Sequence, residues 1–485
     1  DLCLRAMSVS EEALQVQVKA LELEVEQLKA QLRDRSSCVK EEDRMMAPPC
    51  LTPFESQVDR GGRKKGRRAE VGRVFDFSAH PRRHVALRLA YLGWQYQGFA
   101  VQENTDNTVE ARLFEALLKT RLIQDRQSSN YHRCGRTDKG VSAFSQVISI
   151  DLRSSQFSGL GVTIPAGVEG KPETPMTELP YVKILNRVLP PDIRVLCWAP
   201  VHTSFSARFD CQYRTYRYYF PHGDLDVELM AAAARRYEGT YDFRNFCKMD
   251  VGNGVLQFQR TILSASVHPA STSHPSVDPH HLYFFQVKGL AFLYHQVRCM
   301  MAVLLLIGQK LEAPEVIDQL LDVENNPRKP QYSMAVDYPL VLYECHFEGL
   351  CWKSEPEEES QVLCCLHQHW TQAAVKAQVL HSMIQGMHIT LADKASSSIQ
   401  CWLLEGSRQR NYCPLLERPR CESLESRIQH FVKRGRLERE EGESGEETMA
   451  FKGKRSRHSQ QVTSDQQQEC AQRNMDVPYN LHCKP

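Results

Sequence analysis

Between Tyr131 and Ala143 the chain reads YHRCGRTDKGVSA, which sets one carboxylate, Asp138, between two cations, Arg136 and Lys139. An ionised, positioned carboxylate can act as a nucleophile or stabilise a cation-like sugar transition state. The flanking cations are expected to hold Asp138 ionised, because opposite charge favours the charged form. Gly135 and Gly140 bracket the acid and permit a tight turn and close approach of a ligand. The plainer alternative is a surface turn with an Asp–Arg pair, which contributes little to stability.

Two further segments could join this chemistry. In RTYRYYF, period-two alternation puts Arg214, Tyr216, Tyr218 and Phe220 on one strand face, with Arg217 and Tyr219 on the other. An aromatic–arginine face suits base stacking and phosphate contact, and equally suits a packed core edged with arginines. Arg208, in SFSARF, is a separate phosphate-contact candidate. Arg298 falls within AFLYHQVRCMMAVLLLIG, an apolar helical run whose Leu293, Val297, Met301, Leu304 and Leu305 would line a core. A guanidinium there needs a carboxylate partner. Asp138 is the candidate that would unite two halves of the chain, and another acid would serve a purely structural arginine. The stretch CCLHQHW matches no standard zinc-finger spacing, so no metal is expected.

The elements that must carry these groups are legible in outline. HVALRLAYLGW reads as a strand through Val85, Leu87, Leu89 and Tyr91. DNTVEARLFEALLKTRL reads as a helix, capped by Asn107 or Thr108, with Val109, Leu113 and Leu117 on its apolar face. AFSQVISIDL is a strand directly after Asp138, and residues 154–178 form a Gly-, Pro- and Ser-rich loop. Strands and helices mix without strict βαβ alternation, which implies an α+β fold on a largely antiparallel sheet. Residues 1–80 read as an extension. They hold an a/d heptad run within 12–33 (Leu14, Val18, Leu21, Val25, Leu28, Leu32) and a basic arm at 60–68, RGGRKKGRR. Residues 84–203 and 204–347 read as two halves of one domain, 348–436 as an extension packing on it, and 437–485 as a polar, disordered tail.

The 485 residues carry a formal net charge of +1, so attraction to a polyanion must come from local patches. Seventeen cysteines occur without a C-x-x-C pair, and are expected to be reduced in a cytosolic or nuclear protein. The apolar run Cys299–Ile307 is far short of the roughly 20 residues that span a bilayer.

Taken in order, these segments resemble the TruA family of tRNA pseudouridine synthases. GRTDKGVSA resembles its catalytic motif, and YLGWQYQGFAVQ…NTVEARLFEAL its opening strand and helix, with Leu92 where many members have Asp. FSARF…RTYRYYF, GTYDFRNF, RTI and FLYHQVR…IGQ follow in the family's order over residues 84–347. KILNRVLPPDIR, QYSMAVDYPLVLY and RPRCESLESRIQHF are similar to the eukaryotic subfamily acting on positions 38 and 39, beside the anticodon stem. The resemblance implies two related α/β halves sharing one continuous sheet, with a catalytic cleft between them. It implies Asp138 as nucleophile, Tyr216 against the target base, and Arg136 and Arg298 as active-site arginines, the latter pairing with Asp138. Arg208, Arg214 and Lys139 are the further substrate contacts. It also implies a flipped uridine in a tRNA anticodon stem-loop and a homodimer; nothing in the sequence calls for a cofactor, and nucleus and cytoplasm are the expected compartments. The rival readings are a non-catalytic tRNA-binding module, a glycosidase-like hydrolase needing a second carboxylate, and a coiled-coil scaffold.

Overall fold

The computed structural model describes residues 75–166, 177–271, 280–387, 402–405, 411–434, 437–441 and 447–451. The heptad run at 12–33 and the basic arm at 60–68 lie outside the described residues.

The first half contributes β1 (Arg82–Tyr91), β2 (His132–Arg133), β3 (Ser142–Arg153), β4 (Val162–Thr163) and β5 (Ile193–Pro200). The second contributes β6 (Tyr213–Pro221), β7 (Gly239–Asp242), β8 (Gln259–Pro269), β9 (Leu282–Gly289) and β10 (Leu340–His346). All ten join one sheet in the order β4-β1-β3-β10-β6-β9-β8-β7, with β2 on β3 and β5 on β1. Among the described strands every pairing is antiparallel except β10 with β3, where Val341 faces Ser142 and Leu342 faces Ala143. β10 is the last strand of this sheet in the chain, yet it lies near the middle and closes the seam between the halves.

Each half buries its own core against the sheet. In the first, α1 (Val109–Lys119) lays Val109, Leu113 and Leu117 on β1 and β3. Thr108, rather than Asn107, is its cap: the Oγ accepts from Ala111 N at 3.2 Å. The short α2 (Tyr181–Asn186) completes this core with Tyr181 and Leu185. In the second, α3 (Val227–Ala234), α4 (Gln296–Gly308) and α5 (Val316–Leu321) pack together, and every residue of α4 is buried. Tyr216 touches both cores.

Beyond the sheet, α6 (Pro356–Gly386) is a long helix with most side chains exposed. Leu403 and Leu415 are buried in the second core, and α7 (Leu424–Lys433) packs Ile428 and Phe431 on it. Within the tail, the described β11 (Leu437–Glu441) pairs with β12 (Glu447–Phe451). A main-chain hydrogen-bond ladder does not depend on apolar content.

Candidate active site

Asp138 sits in the turn between β2 and β3, and that turn is fastened at nearly every residue. Cys134 N donates to Val147 O at 2.9 Å, and Gln146 Nε2 to Gly135 O at 3.0 Å. Phe99 N donates to Thr137 O at 3.0 Å, and the Thr137 hydroxyl meets Tyr91 OH at 2.7 Å. Gly140 N donates to Tyr96 O at 3.2 Å. From the second half, Arg214 Nη2 donates to Cys134 O at 3.0 Å while Nη1 donates to Leu290 O at 2.6 Å. Catalytic geometry needs this sort of over-determination.

Of the two bracketing glycines only Gly140 is required by the backbone. Its φ is +75°, and a Cβ there would lie 2.6 Å from Asp337 Cγ. Gly135 has no atom within 4 Å of such a Cβ.

The carboxylate's electrostatics differ from the sequence expectation. Arg136 and Lys139 are exposed, and the charges that bear on Asp138 are those of Arg298 and Asp337. Burial instead pushes the Asp138 carboxyl up from 3.8 to about 6, with Arg298 pulling it down and Asp337 pushing it further up. Its side chain is 24% exposed, so one side of it still faces the cleft. A charge adjacent in sequence points outward from a tight turn, whereas desolvation acts on whatever the turn buries.

Arg298 is buried as expected, at 4% exposure, but its ion pair is with Glu405 and not with Asp138. Its Nε donates to Ala335 O at 2.8 Å. The guanidinium therefore reaches Asp138 by its field rather than by a hydrogen bond. Glu405 is placed by main-chain pairing of its segment with residues 334–336, including Glu405 N to Met334 O at 2.8 Å.

The RTYRYYF face divides. Tyr218 and Phe220 are core, at 0% and 1% exposure, and of the three aromatics on this face only Tyr216 reaches the seam between the two cores. Tyr216 is half-buried, edge-on to Phe292 with centroids 5.0 Å apart. Burial holds its phenol well above the ordinary range, and Asp138 adds to this through charge. Arg214 is spent on carbonyls: besides Cys134 and Leu290 it donates to Arg208 O at 3.3 Å. It is a clamp between the halves rather than a free phosphate ligand. Arg208 is exposed, over the Phe209 ring at 5.1 Å, and with the exposed Arg136 it forms a basic rim beside the turn, while Arg133 is paired with the buried Glu110.

Two groups near Asp138, and the partner of Arg298, escaped the sequence reading. Asp337, in SMAVDYPL, packs its carboxylate on Gly140. A lone acid in an apolar run was the available signal. His295 brings Nε2 to 3.7 Å from Asp138 Oδ2. It stands immediately before α4, the helix that carries Arg298. Glu405 had no local signal. CCLHQHW lies on α6, and among the described residues no group of three or more His, Cys, Asp or Glu is arranged to hold a metal. No described helix is long and apolar enough to cross a membrane.

Comparison with known proteins agrees with this architecture. A family model described as tRNA pseudouridine synthase matches residues 233–348. The chain is 55% identical over 399 residues to the tRNA pseudouridine(38/39) synthase of Homo sapiens, covering 78% of this chain and 82% of that one. It is 42% identical over 307 residues to the enzyme of the same name from Saccharomyces cerevisiae, covering 62% and 65%. It is 33% identical over 277 residues to a tRNA pseudouridine synthase A of Methanosphaerula palustris, covering 57% and 85%.

Proposed function

This chain belongs to the TruA-type tRNA pseudouridine synthase family, and from that membership we propose that it isomerises uridine to pseudouridine at positions 38 and 39 of tRNA, with Asp138 as the nucleophile. The observation that carries the residue assignment is a half-buried carboxylate to which no described residue donates a hydrogen bond, held at the seam of two cores by a turn pinned from both. With a pKa of about 6, Asp138 is mostly ionised at neutral pH yet more basic than an ordinary carboxylate. Bond formation or protonation relieves its poor solvation.

The target base is stacked in the stem-loop and is flipped into the cleft to be reached. Asp138 assists cleavage of the N1–C1′ bond. The freed uracil turns over, C5 bonds to C1′, the C5 proton leaves and N1 gains one, so atoms balance without redox change or hydrolysis. Tyr216 lies against the base. Burial holds its phenol neutral, which suits stacking on the base. Asp337 is a second carboxylate, but it is packed on Gly140 rather than free to hold a hydrolytic water across the sugar. The exposed Arg136 and Arg208 suit phosphate contacts flanking the flipped nucleotide.

The test is pseudouridine formation in a tRNA bearing uridine at 38 or 39, with RNA binding measured alongside. Asp138→Ala is expected to abolish product and retain binding. Product from that variant sinks the assignment of Asp138, and binding without product from the natural chain favours the binding-module reading.

A homodimer is the quaternary state we propose. Its support is the exposed apolar stripe along α6, where Leu366, Trp370, Leu380, Met383 and Ile384 are all solvent-facing. An adjoining apolar cavity of about 530 Å³ is lined by Trp94, Phe144, Tyr219 and Val341. Light scattering on the natural chain and on Leu380→Glu/Ile384→Glu decides it; a monomeric natural chain overturns it.

A further inference from the structure

His295 is held in an unusual way for a residue that the proposed chemistry has not yet used. Its backbone lies in the left-handed region, φ 62° and ψ 12°, immediately before α4, and Cys299 N donates to its carbonyl at 3.0 Å. Non-glycine residues seldom adopt this conformation, and it persists where the surroundings enforce it. The imidazole is 9% exposed and lies against the Tyr294 ring, so it has little room to swing.

The ring's two nitrogens face different surroundings. Nε2 is 3.7 Å from Asp138 Oδ2, while Nδ1 is buried without a hydrogen-bond partner among the described residues. A buried N–H without an acceptor costs more than a buried lone pair facing apolar atoms, so the proton belongs on Nε2, pointing at the carboxylate. Burial and the charges of Arg298, Lys248 and Lys329 push the imidazole down to about 3, so it stays neutral and keeps that single proton. Among the described residues no hydrogen bond reaches the Asp138 carboxylate, and His295 Nε2 is the one basic side-chain nitrogen within 4 Å of it. Arg298 spends Nε on Ala335 O and Nη2 on Glu405, and among the described residues it makes no hydrogen bond to Asp138. A separation of 3.7 Å is too long for a hydrogen bond, and catalytic contacts commonly tighten when substrate expels water.

We propose that His295 is a positioning residue for the isomerisation: its Nε2–H closes onto Asp138 Oδ2 when uridine fills the cleft, which turns Oδ1 toward the sugar. This rests on the proposed function, and it adds the orientation of the nucleophile.

The test compares the natural chain with His295→Leu and His295→Gln in single-turnover pseudouridine formation across pH 5–8, with tRNA affinity and thermal melting measured on the same samples. Leu keeps bulk without a donor, and the Gln amide nitrogen reaches the place of Nε2. His295→Leu is expected to slow the rate about 10- to 100-fold, as for a misplaced catalytic group, with affinity within about twofold. Its acid limb should move to higher pH, because the Asp138 carboxylate then has only Arg298 to favour it against burial and Asp337. His295→Gln should recover most of the rate and return the limb. A Leu variant at the natural rate overturns the proposal. So do Leu and Gln variants equally slowed with an unmoved limb, which marks a ring that only fills space. Failure of the underlying reading has a different signature: a natural chain that binds tRNA and forms no product.

Discussion

Replacing Asp138 by Asn should make the protein more stable while making it inactive. The folded carboxyl titrates at about 6 against an ordinary 3.8. Because the folded value is the higher, the native state binds more protons than the unfolded chain between these two values, and acid favours folding. A gap of about two, at about 1.4 kcal/mol for each, means that ionised Asp138 costs the fold about 3 kcal/mol above pH 6. Asn keeps the shape and carries no charge, so it escapes that cost. Urea unfolding of both proteins should show Asp138→Asn more stable by about 2–3 kcal/mol at pH 7.5. The advantage should fall to about 1 kcal/mol at pH 4.5 and vanish below about pH 3. No gain at pH 7.5, or a gain unchanged at pH 4.5, would refute burial as the dominant influence on this group.

Other perturbations separate the remaining contacts. Glu405→Gln leaves Arg298 without its ion pair, and since Glu405 is 44% exposed the loss should be about 1–2 kcal/mol rather than the larger cost of a fully buried pair. The released positive field should move the acid limb of the pH–rate profile below that of the natural chain, and a limb moving upward contradicts the arrangement. Glu110 is fully buried and accepts from Val101 N at 2.8 Å, Tyr131 OH at 2.7 Å and Arg126 Nη2 at 2.9 Å. Its replacement by Ala should cost about 3–5 kcal/mol in chemical denaturation. Gly140→Ala should destabilise by at least about 2 kcal/mol through its left-handed φ and the Asp337 clash, and abolish activity. Gly135→Ala should change stability by no more than about 0.5 kcal/mol. Measured tRNA affinity should fall steeply between 50 and 200 mM salt, roughly 10³-fold if six phosphates are contacted.

What could be read from the sequence was what depends on local periodicity. The β1 alternation, the Thr108 cap and the apolar run around Arg298 each follow from spacing over a few residues. The need of Arg298 for a carboxylate was also legible, because burial of a guanidinium imposes it. Which carboxylate was not: Glu405 is over a hundred residues away in the chain, and no local pattern points to it. The environment of Asp138 was misjudged because sequence neighbours stood in for spatial ones. Arg136 and Lys139 flank it along the chain but point to solvent, while Arg298, Asp337 and His295 arrive from the other half. The same limit blurred RTYRYYF, where one face holds two core aromatics and one cleft aromatic, and only the seam between the two cores tells them apart.

The seam also sets a timetable. β10 is made after the nine other strands of its sheet, yet it must enter between β3 and β6. Until it emerges from the ribosome, those two strands present bare hydrogen-bonding edges, the kind that invite mispairing and call for chaperone protection. Its parallel contact falls on Ser142 and Ala143, a few residues beyond Asp138. A nascent or prematurely terminated chain that lacks β10 thus has the whole Asp138 motif and no assembled cleft around it. Such fragments should be recognised by quality control as unfinished sheets, and should not modify RNA.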